Sequence, residues 1–334
     1  MDEIWRTTWG ERTSPALLRL DGHDRVALAQ DRDPRSQWPP YALFGLAPTA
    51  VARGVVTAAM PVTGWLLDSR GELGFPLLAF VADAPLSLCV TTGLPPGSYV
   101  VPQGLRIEMV HRPSTDEPAL ACEARQETTD GRYALSSGRL RSSDGTVQAV
   151  AIGRQLIRSV EIDRLRPLPS SPPPRDETDL PFSRPPAGEP VAAEVWARRR
   201  PLEVVRHQIE GRLPLPPLYH LTGMRPVSVD EGTVRLELPA VHWLDTPVFG
   251  GALTMLAATA IELAADTGMG VGRRASLLDL SCDFLRPGTE AGPDIEARAH
   301  TIHVGQQTQV VDGEVVQGRR TLVTARATLR SVPS

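Results

Sequence analysis

Two long segments of almost unbroken apolar sequence divide a chain that otherwise alternates between apolar and polar residues. The second of them, residues 252–265, is rich in Ala, Leu and Met and carries apolar residues on nearly every face. This pattern predicts a helix that is covered on most sides. The first, residues 77–90, begins after Pro76, which suits a first helical turn. Pro85 lies inside it and is expected to kink the helix or weaken its second half.

Shorter runs with the alternation of β-strands surround each apolar segment. In the first half they are residues 50–62, 98–112, 119–129, 132–141 and 146–157. In the second half they are residues 233–239, 275–286, 294–303, 306–311 and 319–329. Each half therefore predicts one long helix against an antiparallel sheet of five or six strands, an α+β architecture.

Changes in composition indicate the domain boundaries. Residues 1–37 are polar and mixed and are interpreted as an N-terminal extension. Residues 38–160 form the first predicted domain and residues 191–334 the second. Residues 161–190 between them are rich in Pro, Ser and charge, a composition typical of an interdomain linker.

The two halves repeat one design. Three residues of the first half recur in the second with identical spacing, the pairs being Gly54 and Gly232, Pro61 and Pro239, and Trp65 and Trp243. An Arg-Pro pair also closes the strand after the helix in both halves, at Arg112-Pro113 and at Arg286-Pro287. Self-similarity at a fixed spacing is the mark of an internal duplication.

Composition excludes several classes of function. A formal net charge of −4 argues against a nucleic-acid-binding surface, and no apolar run reaches the 18 residues that a membrane span needs. Lysine is absent from the sequence, which excludes Schiff-base catalysis and the phosphate-loop lysine. The three scattered cysteines have no metal-ligand spacing and fit a reducing compartment. We therefore expect a cytoplasmic protein with no metal, no cofactor, and neither a nucleic-acid nor a membrane partner.

The start of the second apolar helix is the first candidate for chemistry. Gly250 and Gly251 stand where the first backbone N–H groups of a helix have no partner within it. Without side chains these donors are open to an outside acceptor, and the helix dipole favours negative charge there. The alternative interpretation is a plain turn before a core helix.

With its repeat and these motifs, the chain resembles the hotdog-fold acyl-CoA thioesterases, specifically the phenylacetyl-CoA thioesterase (PaaI-like) branch, in a tandem or double form. That family carries Asn-x-x-Gly-x-x-His-Gly-Gly before its helix, an Asp nine residues after the His, and a strand that ends in Phe-Leu-Arg-Pro. The second half carries Phe249-Gly250-Gly251 and Phe284-Leu285-Arg286-Pro287. The resemblance implies hydrolysis of an acyl-CoA or acyl-carrier thioester, and it allows homo-oligomers of double-hotdog units.

Neither half keeps the whole family motif, and their losses complement each other. The second half has Phe249 in place of the His and Ala258 in place of the catalytic Asp. The first half keeps the acid as Asp83 but carries Phe75-Pro76 where the Gly pair belongs. Because the family shares each active site between two units, the resemblance implies one composite site. In it Asp83 of the first unit faces Gly250 and Gly251 of the second.

Further residues are assigned to this site by their positions relative to the family. Gln103 falls where the family has a Ser or Thr beside the acid, and His242 or Asp245 would substitute for the missing Asn. We assign His242, Asp245 and Phe249 to substrate binding, and we count Gln103 among the catalytic residues. Whether Asp83 acts as general base or as nucleophile is left open. Glu262, one turn after Ala258, is either a displaced acid for the second position or a solvated helix residue.

Two other functions are compatible with the same residues. In the first, the chain is a double hotdog that binds an acyl thioester or a hydrophobic ligand without hydrolysing it. The absence of the family His and Asn favours this function. In the second, the chain is another acyl-thioester enzyme, such as a dehydratase or cyclase. MaoC-like hydratases are disfavoured because their Asp and His within one short loop are absent.

Overall fold

One continuous antiparallel sheet wraps two long central helices in the computed structural model, which describes residues 3–12, 14–31, 37–162 and 180–333. The helices are α1 (Gly22–Gln30), α2 (Pro39–Phe44), α3 (Phe75–Thr91), α4 (Ala193–Trp196), α5 (Pro201–Ile209), α6 (Pro217–Thr222) and α7 (Gly250–Thr267). The strands of the first half are β1 (Ala47–Ala52), β2 (Val55–Pro61), β3 (Ser98–Met109), β4 (Ala119–Thr129), β5 (Tyr133–Arg141) and β6 (Val147–Ser159). Those of the second half are β7 (Arg225–Asp230), β8 (Thr233–Leu238), β9 (Arg273–Leu277), β10 (Asp279–Phe284), β11 (Ile295–Val304), β12 (Thr308–Gln317) and β13 (Arg320–Pro333).

The order of the strands joins the two units edge to edge. The sheet of the described residues runs β1-β2-β4-β5-β6-β3-β10-β13-β12-β11-β8-β7, with β9 paired to β13. Its central junction is the antiparallel pair of β3 and β10, from Asp279 opposite Glu108 to Asp283 opposite Gly104. The prediction of one long helix and an antiparallel sheet in each half is confirmed. Helices α3 and α7 pack against each other inside the sheet.

Pro85 lies inside α3 without ending it, and the helix continues to Thr91. The residues that follow the proline, Leu86 and 88–90, are buried in the core. Two side chains of the sheet also hold this turn, because Ser136 and Gln155 both donate hydrogen bonds to the Leu86 carbonyl, at 2.8 Å and 3.0 Å. Packing against the sheet therefore maintains a helix that its local sequence disfavours.

Two of the predicted single strands are pairs of strands. The run 50–62 forms β1 and β2, separated by a tight turn in which Gly54 has φ of 77°. The run 275–286 forms β9 and β10, which are separated by Leu278. A positive φ at Gly54 reverses the chain within what reads as one apolar run, because glycine adopts this conformation without steric cost.

Both units close this first hairpin onto the end of the long helix in the same way. The Gly54 N–H donates to Thr92 Oγ1 at 2.7 Å, and the Gly232 N–H donates to Thr267 Oγ1 at 2.8 Å. Each threonine hydroxyl in turn donates to a helix carbonyl. An interaction that recurs in both halves supports the duplication inferred from the sequence.

The predicted linker lies partly at 163–179, outside the described residues. Its end packs on the first unit, where Trp65 Nε1 donates to the Arg184 carbonyl at 2.8 Å. The N-terminal extension lies against both units. Gly22 N donates to the Leu94 carbonyl, and the Trp5 ring packs on Gly223 of the second unit. We propose residues 38–160 and 191–334 as the boundaries of the two units. None of the described helices has the length and apolar character to span a membrane.

The two threonine hydroxyls lead to a stability prediction. Thr92 and Thr267 are fully buried, so Thr92→Val or Thr267→Val leaves a glycine N–H without its acceptor. Each change should lower the free energy of unfolding by about 1–3 kcal/mol in urea denaturation. Thr128→Val, at an exposed position of β4, is the control and should change it by less than about 0.5 kcal/mol. Equal stability of all three variants would contradict this assignment.

Candidate active site

Asp83 of the first unit faces the start of α7 in the second. It lies in the middle of α3, and only 4% of the residue is exposed. A Cβ atom placed on Gly250 would stand 2.9 Å from Asp83 Oδ2 and 3.1 Å from Oδ1. The carboxylate therefore occupies the space beside Gly250 that any other residue would fill. The structure brings together the acid and the Gly pair that the family resemblance assigned to one site.

The start of α7 offers this carboxylate open hydrogen-bond donors. Phe249, the N-cap residue, provides no side-chain acceptor for them. A hydrogen bond from the Gly251 backbone N–H stabilises the ionised form of Asp83. The partial positive charge of the helix terminus acts in the same direction. Within the described part of the chain, the Gly250 N–H has no hydrogen-bond acceptor.

Burial dominates the protonation equilibrium of Asp83. Removal of the carboxyl group from water raises its pKa to about 7, although the hydrogen bond from Gly251 partly opposes the shift. A carboxyl group with a pKa close to neutrality can both accept and return a proton at physiological pH. Perturbed groups of this kind concentrate at functional sites, although buried structural acids are also perturbed.

Aromatic side chains wall the site. The Phe249 ring packs edge-on against Tyr41 and Phe80, with centroid distances of 5.7 Å and 5.3 Å. Tyr41 is buried, and both its burial and the charge of Asp83 raise the pKa of its hydroxyl. These apolar faces exclude water from the carboxylate and so account for its raised pKa.

Tyr41 is a neighbour of Asp83 that the sequence interpretation missed, although a signal was present. The pattern Tyr-x-Leu-x-Gly occurs in both halves, at residues 41–45 and at residues 219–223. Gly45 and Gly223 end α2 and α6 with positive φ, and each donates its N–H to the carbonyl of the tyrosine. The pattern therefore belongs to the internal repeat.

The other predicted site residues lie elsewhere or make different contacts. Gln103 sits at an irregularity of β3, and its amide donates a long 3.5 Å hydrogen bond to the Pro102 carbonyl. His242 lies against the N-terminal extension, where burial lowers its pKa and the backbone of Trp9 and Gly10 contacts the ring. Asp245 accepts a 2.7 Å hydrogen bond from the Thr246 N–H. In the described residues, no hydrogen bond links any of these three side chains to Asp83.

Residues 240–330 match the family model of the acyl-CoA thioesterase N-terminal domain. This segment contains Gly250 and Gly251 and lies in the second unit of the chain. The chain is a double-hotdog protein, and residues 240–330 of its second unit are similar to an acyl-CoA thioesterase domain. The match supports the thioesterase resemblance, and it does not single out the phenylacetyl-CoA branch.

Solved structures agree with this fold over nearly the whole chain. The TesB protein of Mycobacterium avium subs paratuberculosis has a TM-score of 0.57 at 12% identity, over 88% of this chain and 98% of its own. A hot dog fold protein from Alicyclobacillus acidocaldarius has a TM-score of 0.55 at 14% identity, over 86% and 96%. Acyl-CoA thioesterase II TesB2 of Mycobacterium marinum has a TM-score of 0.54 at 9% identity, over 88% and 98%. A search of curated proteins finds no significant match.

The raised pKa of Asp83 leads to a prediction on stability. In the unfolded chain this group ionises near pH 3.9, whereas in the folded chain it ionises near pH 7. Between these values only the unfolded state loses the proton, so Asp83 increasingly destabilises the fold as pH rises from about 4 to about 7. Asp83→Asn removes this cost and should raise the free energy of unfolding at pH 8 by a few kcal/mol.

Urea denaturation at several pH values tests this, and the advantage of the variant should shrink as pH falls from 7 toward 4. Asp116→Asn, at an exposed turn position, is the matched control and should show no comparable gain. A gain that is the same at pH 5 and pH 8 would contradict the assigned pKa.

Proposed function

We propose that the protein hydrolyses acyl-CoA thioesters at a single composite site between its two units. The observation that carries this proposal is the contact of the Asp83 carboxylate with the Gly250–Gly251 helix start. Thioester hydrolysis needs a proton acceptor for water and a donor for the negative charge that develops on the carbonyl oxygen. The match of residues 240–330 to an acyl-CoA thioesterase domain supports the reaction class.

In the proposed reaction, Asp83 acts as general base. Its carboxylate takes a proton from a water molecule, and the water oxygen forms a bond to the thioester carbonyl carbon. The Gly251 N–H is engaged by the carboxylate, so the Gly250 N–H is the donor left for the carbonyl oxygen. The C–S bond then breaks, and the leaving thiolate takes the proton from Asp83. The products are a carboxylic acid and a free thiol.

Protonation of Asp83 sets the expected pH dependence. The base must be ionised, and burial raises its pKa to about 7. The rate at saturating acyl-CoA should therefore rise through about pH 7 and level off above it. This rise should be absent from the residual activity of Asp83→Asn. An unchanged pH profile in that variant would assign the ionisation to another group.

Two small substitutions, Asp83→Asn and Gly250→Ala, test the site directly. Asp83→Asn keeps the shape but removes the base, and hydrolysis should fall about a hundredfold or more. Gly250→Ala places a methyl group about 3 Å from the carboxylate oxygens and should lower the rate comparably by displacing Asp83.

Release of thiol from a panel of acyl-CoAs measures both variants. Gly270→Ala is the control, because a Cβ there meets open space, and it should retain the rate of the unaltered protein. Full activity in Asp83→Asn would overturn the composite site.

A second candidate function is binding without hydrolysis, and one observation favours it. The Asp83 carboxylate also caps the open start of α7, which is a structural role that requires no substrate. On this interpretation Asp83→Asn and Gly250→Ala would change stability, and the unaltered protein would bind acyl-CoA without releasing thiol. The acyl-CoA panel therefore distinguishes the two functions.

Three features of the setting also belong to this proposal: a cytoplasmic location, a carrier-protein thioester as an alternative substrate, and homo-oligomers of the double hotdog. The three cysteines are free and buried, as a protein of a reducing compartment requires. Strands β1 and β7 form the two ends of the sheet and are the edges through which copies would pair.

A further inference from the structure

A small pocket occupies the position that the internal repeat relates to the Asp83 site. It lies between the start of α3 in the first unit and the middle of α7 in the second, and its volume is about 60 Å³. Its walls include both apolar and ionisable side chains, among them Asp68, Gly74, Leu77, Tyr219, Thr259 and Glu262. Tyr219 corresponds in the repeat to Tyr41, the neighbour of Asp83.

Two carboxyl groups from different units converge in this pocket. A Cβ atom on Gly74 would stand 3.7 Å from Glu262 Oε2 and 3.9 Å from Asp68 Oδ2. Pro76 Cδ bounds this point at 3.1 Å, and a substrate or water atom beside it would lie close to both oxygens. The arrangement resembles that at Gly250, where a missing side chain makes room beside Asp83.

The two carboxyl groups are held differently. Asp68 Oδ1 accepts hydrogen bonds from the backbone N–H groups of Arg70 and Glu72, at 2.8 Å and 3.1 Å, which fixes Asp68 Oδ2 toward the open point. The Glu262 carboxyl group forms no hydrogen bond or ion pair in the described part of the chain. The side chain is partly exposed and lines the pocket, which is the position that a displaced acid requires.

Nearby arginines are committed to other acids. Arg112 and Arg274 both pair with Glu72, the first at 3.0 Å. Arg70 pairs with Asp266 at 3.2 Å and lies over the Trp196 ring at 3.8 Å. None of these arginines forms an ion pair with the partly exposed Glu262, so its carboxyl group is available to a molecule in the pocket.

We propose that this pocket is a second hydrolytic site, specific for thioesters of short acyl groups, in which Asp68 and Glu262 act as a base and acid pair. The inference rests on the thioester chemistry proposed above. In the reaction Asp68 takes a proton from water, and the water oxygen bonds to the carbonyl carbon. The C–S bond breaks, and Glu262 gives its proton to the thiolate. Transfer of a proton from Asp68 to Glu262 restores the pair.

The helix start contributes a single donor to this site. Phe75 occupies the first position of α3, and its N–H is the counterpart of the Gly250 N–H. Pro76 follows and has no N–H to offer. The Phe75 N–H is therefore the one helix-start donor for the carbonyl oxygen, and no second N–H follows it to hold the base as the Gly251 N–H holds Asp83.

The size of the pocket limits the acyl group. A water molecule needs roughly 10–15 Å³ of such volume, so about 60 Å³ holds a few non-hydrogen atoms. Acetyl to butyryl groups match this space, and longer chains do not. The second site should therefore contribute to the hydrolysis of short acyl-CoAs alone.

Opposite pH dependences distinguish the two sites. Burial, and then the charges of Asp68 and Asp266, raise the pKa of Glu262 to about 8, against the opposing effect of Arg112 and Arg274. The groups that face Glu262 are Asp68 and Glu72 before α3, Arg112 after β3, Tyr219 in α6, Asp266 in α7 and Arg274 in β9. As an acid, Glu262 must be protonated, so activity at this site should fall above about pH 8. Activity at Asp83 should instead rise through pH 7.

Four proteins test the proposal with acetyl-CoA and octanoyl-CoA as substrates: the unaltered chain, Asp83→Asn, Glu262→Gln and the double variant. Asp83→Asn should keep a slow acetyl-CoA hydrolysis that declines above about pH 8. The double variant should lose this residual rate by about a hundredfold. Octanoyl-CoA hydrolysis should be unaffected by Glu262→Gln. Thermal unfolding of each variant checks that the fold is intact.

A second substitution tests the same pocket without removing an acid. Gly74→Ala, made in the Asp83→Asn background, fills the point between the two carboxyl groups and should abolish the residual acetyl-CoA hydrolysis. Gly270→Ala in that background is the matched control and should leave the residual rate unchanged.

The outcomes separate this inference from the proposed function. If the double variant hydrolyses acetyl-CoA as fast as Asp83→Asn alone, the second site is overturned and the composite site stands. If Asp83→Asn is fully active and Glu262→Gln is not, the composite site is overturned and the second site stands. If the unaltered chain releases no thiol from either substrate, both are overturned.

Discussion

The burial of one carboxyl group between two helices is the constraint on which the site depends. Asp83 belongs to the first unit, and the helix start that it contacts belongs to the second. Its desolvation is tolerable because an N–H of α7 is directed at it and because the helix dipole favours its charge. The same desolvation sets its pKa near neutrality, so the cost in stability and the capacity for acid–base chemistry have one physical origin.

This contact requires both units to be held in one relative position. The pairing of β3 with β10 makes the two half-sheets continuous, and α3 packs on α7 within them. A duplicated chain has the further freedom to let its two equivalent positions diverge. At one position the acid and the Gly pair remain together. At the other, Phe75-Pro76 and Ala258 stand at the equivalent positions, and Glu262 lies one turn further along α7 beside the pocket.

Much of the fold was predictable because it is encoded in local periodicity. Both long helices, the alternating strands and the repeat at Trp65 and Trp243 were all recognised from the sequence. Turns that depend on the backbone conformation of one residue were not recognised. At Gly54, for example, a run that was predicted as one strand forms a hairpin of two. The helices α2 and α6 were missed because six residues are too few to show the helical period in the sequence.

The candidate site was predictable in its central pair and not in its surroundings. The register of the family motif placed Asp83 and Gly250 in one site, because positions along a helix are counted reliably from the sequence. The roles assigned to Gln103, His242 and Asp245 remain predictions, since loop and bulge conformations decide where those side chains point. Tertiary packing of separate segments brings Tyr41 near Asp83 and Asp68 near Glu262. A single sequence does not reveal these contacts.

The most direct test is a crystal structure with a thioether analogue of an acyl-CoA, in which a methylene group separates the sulfur from the carbonyl carbon. The account predicts that the analogue's carbonyl oxygen lies about 3 Å from the Gly250 nitrogen, with the Asp83 carboxylate beside the carbonyl carbon. An analogue bound with its carbonyl group away from the start of α7 would contradict the composite site.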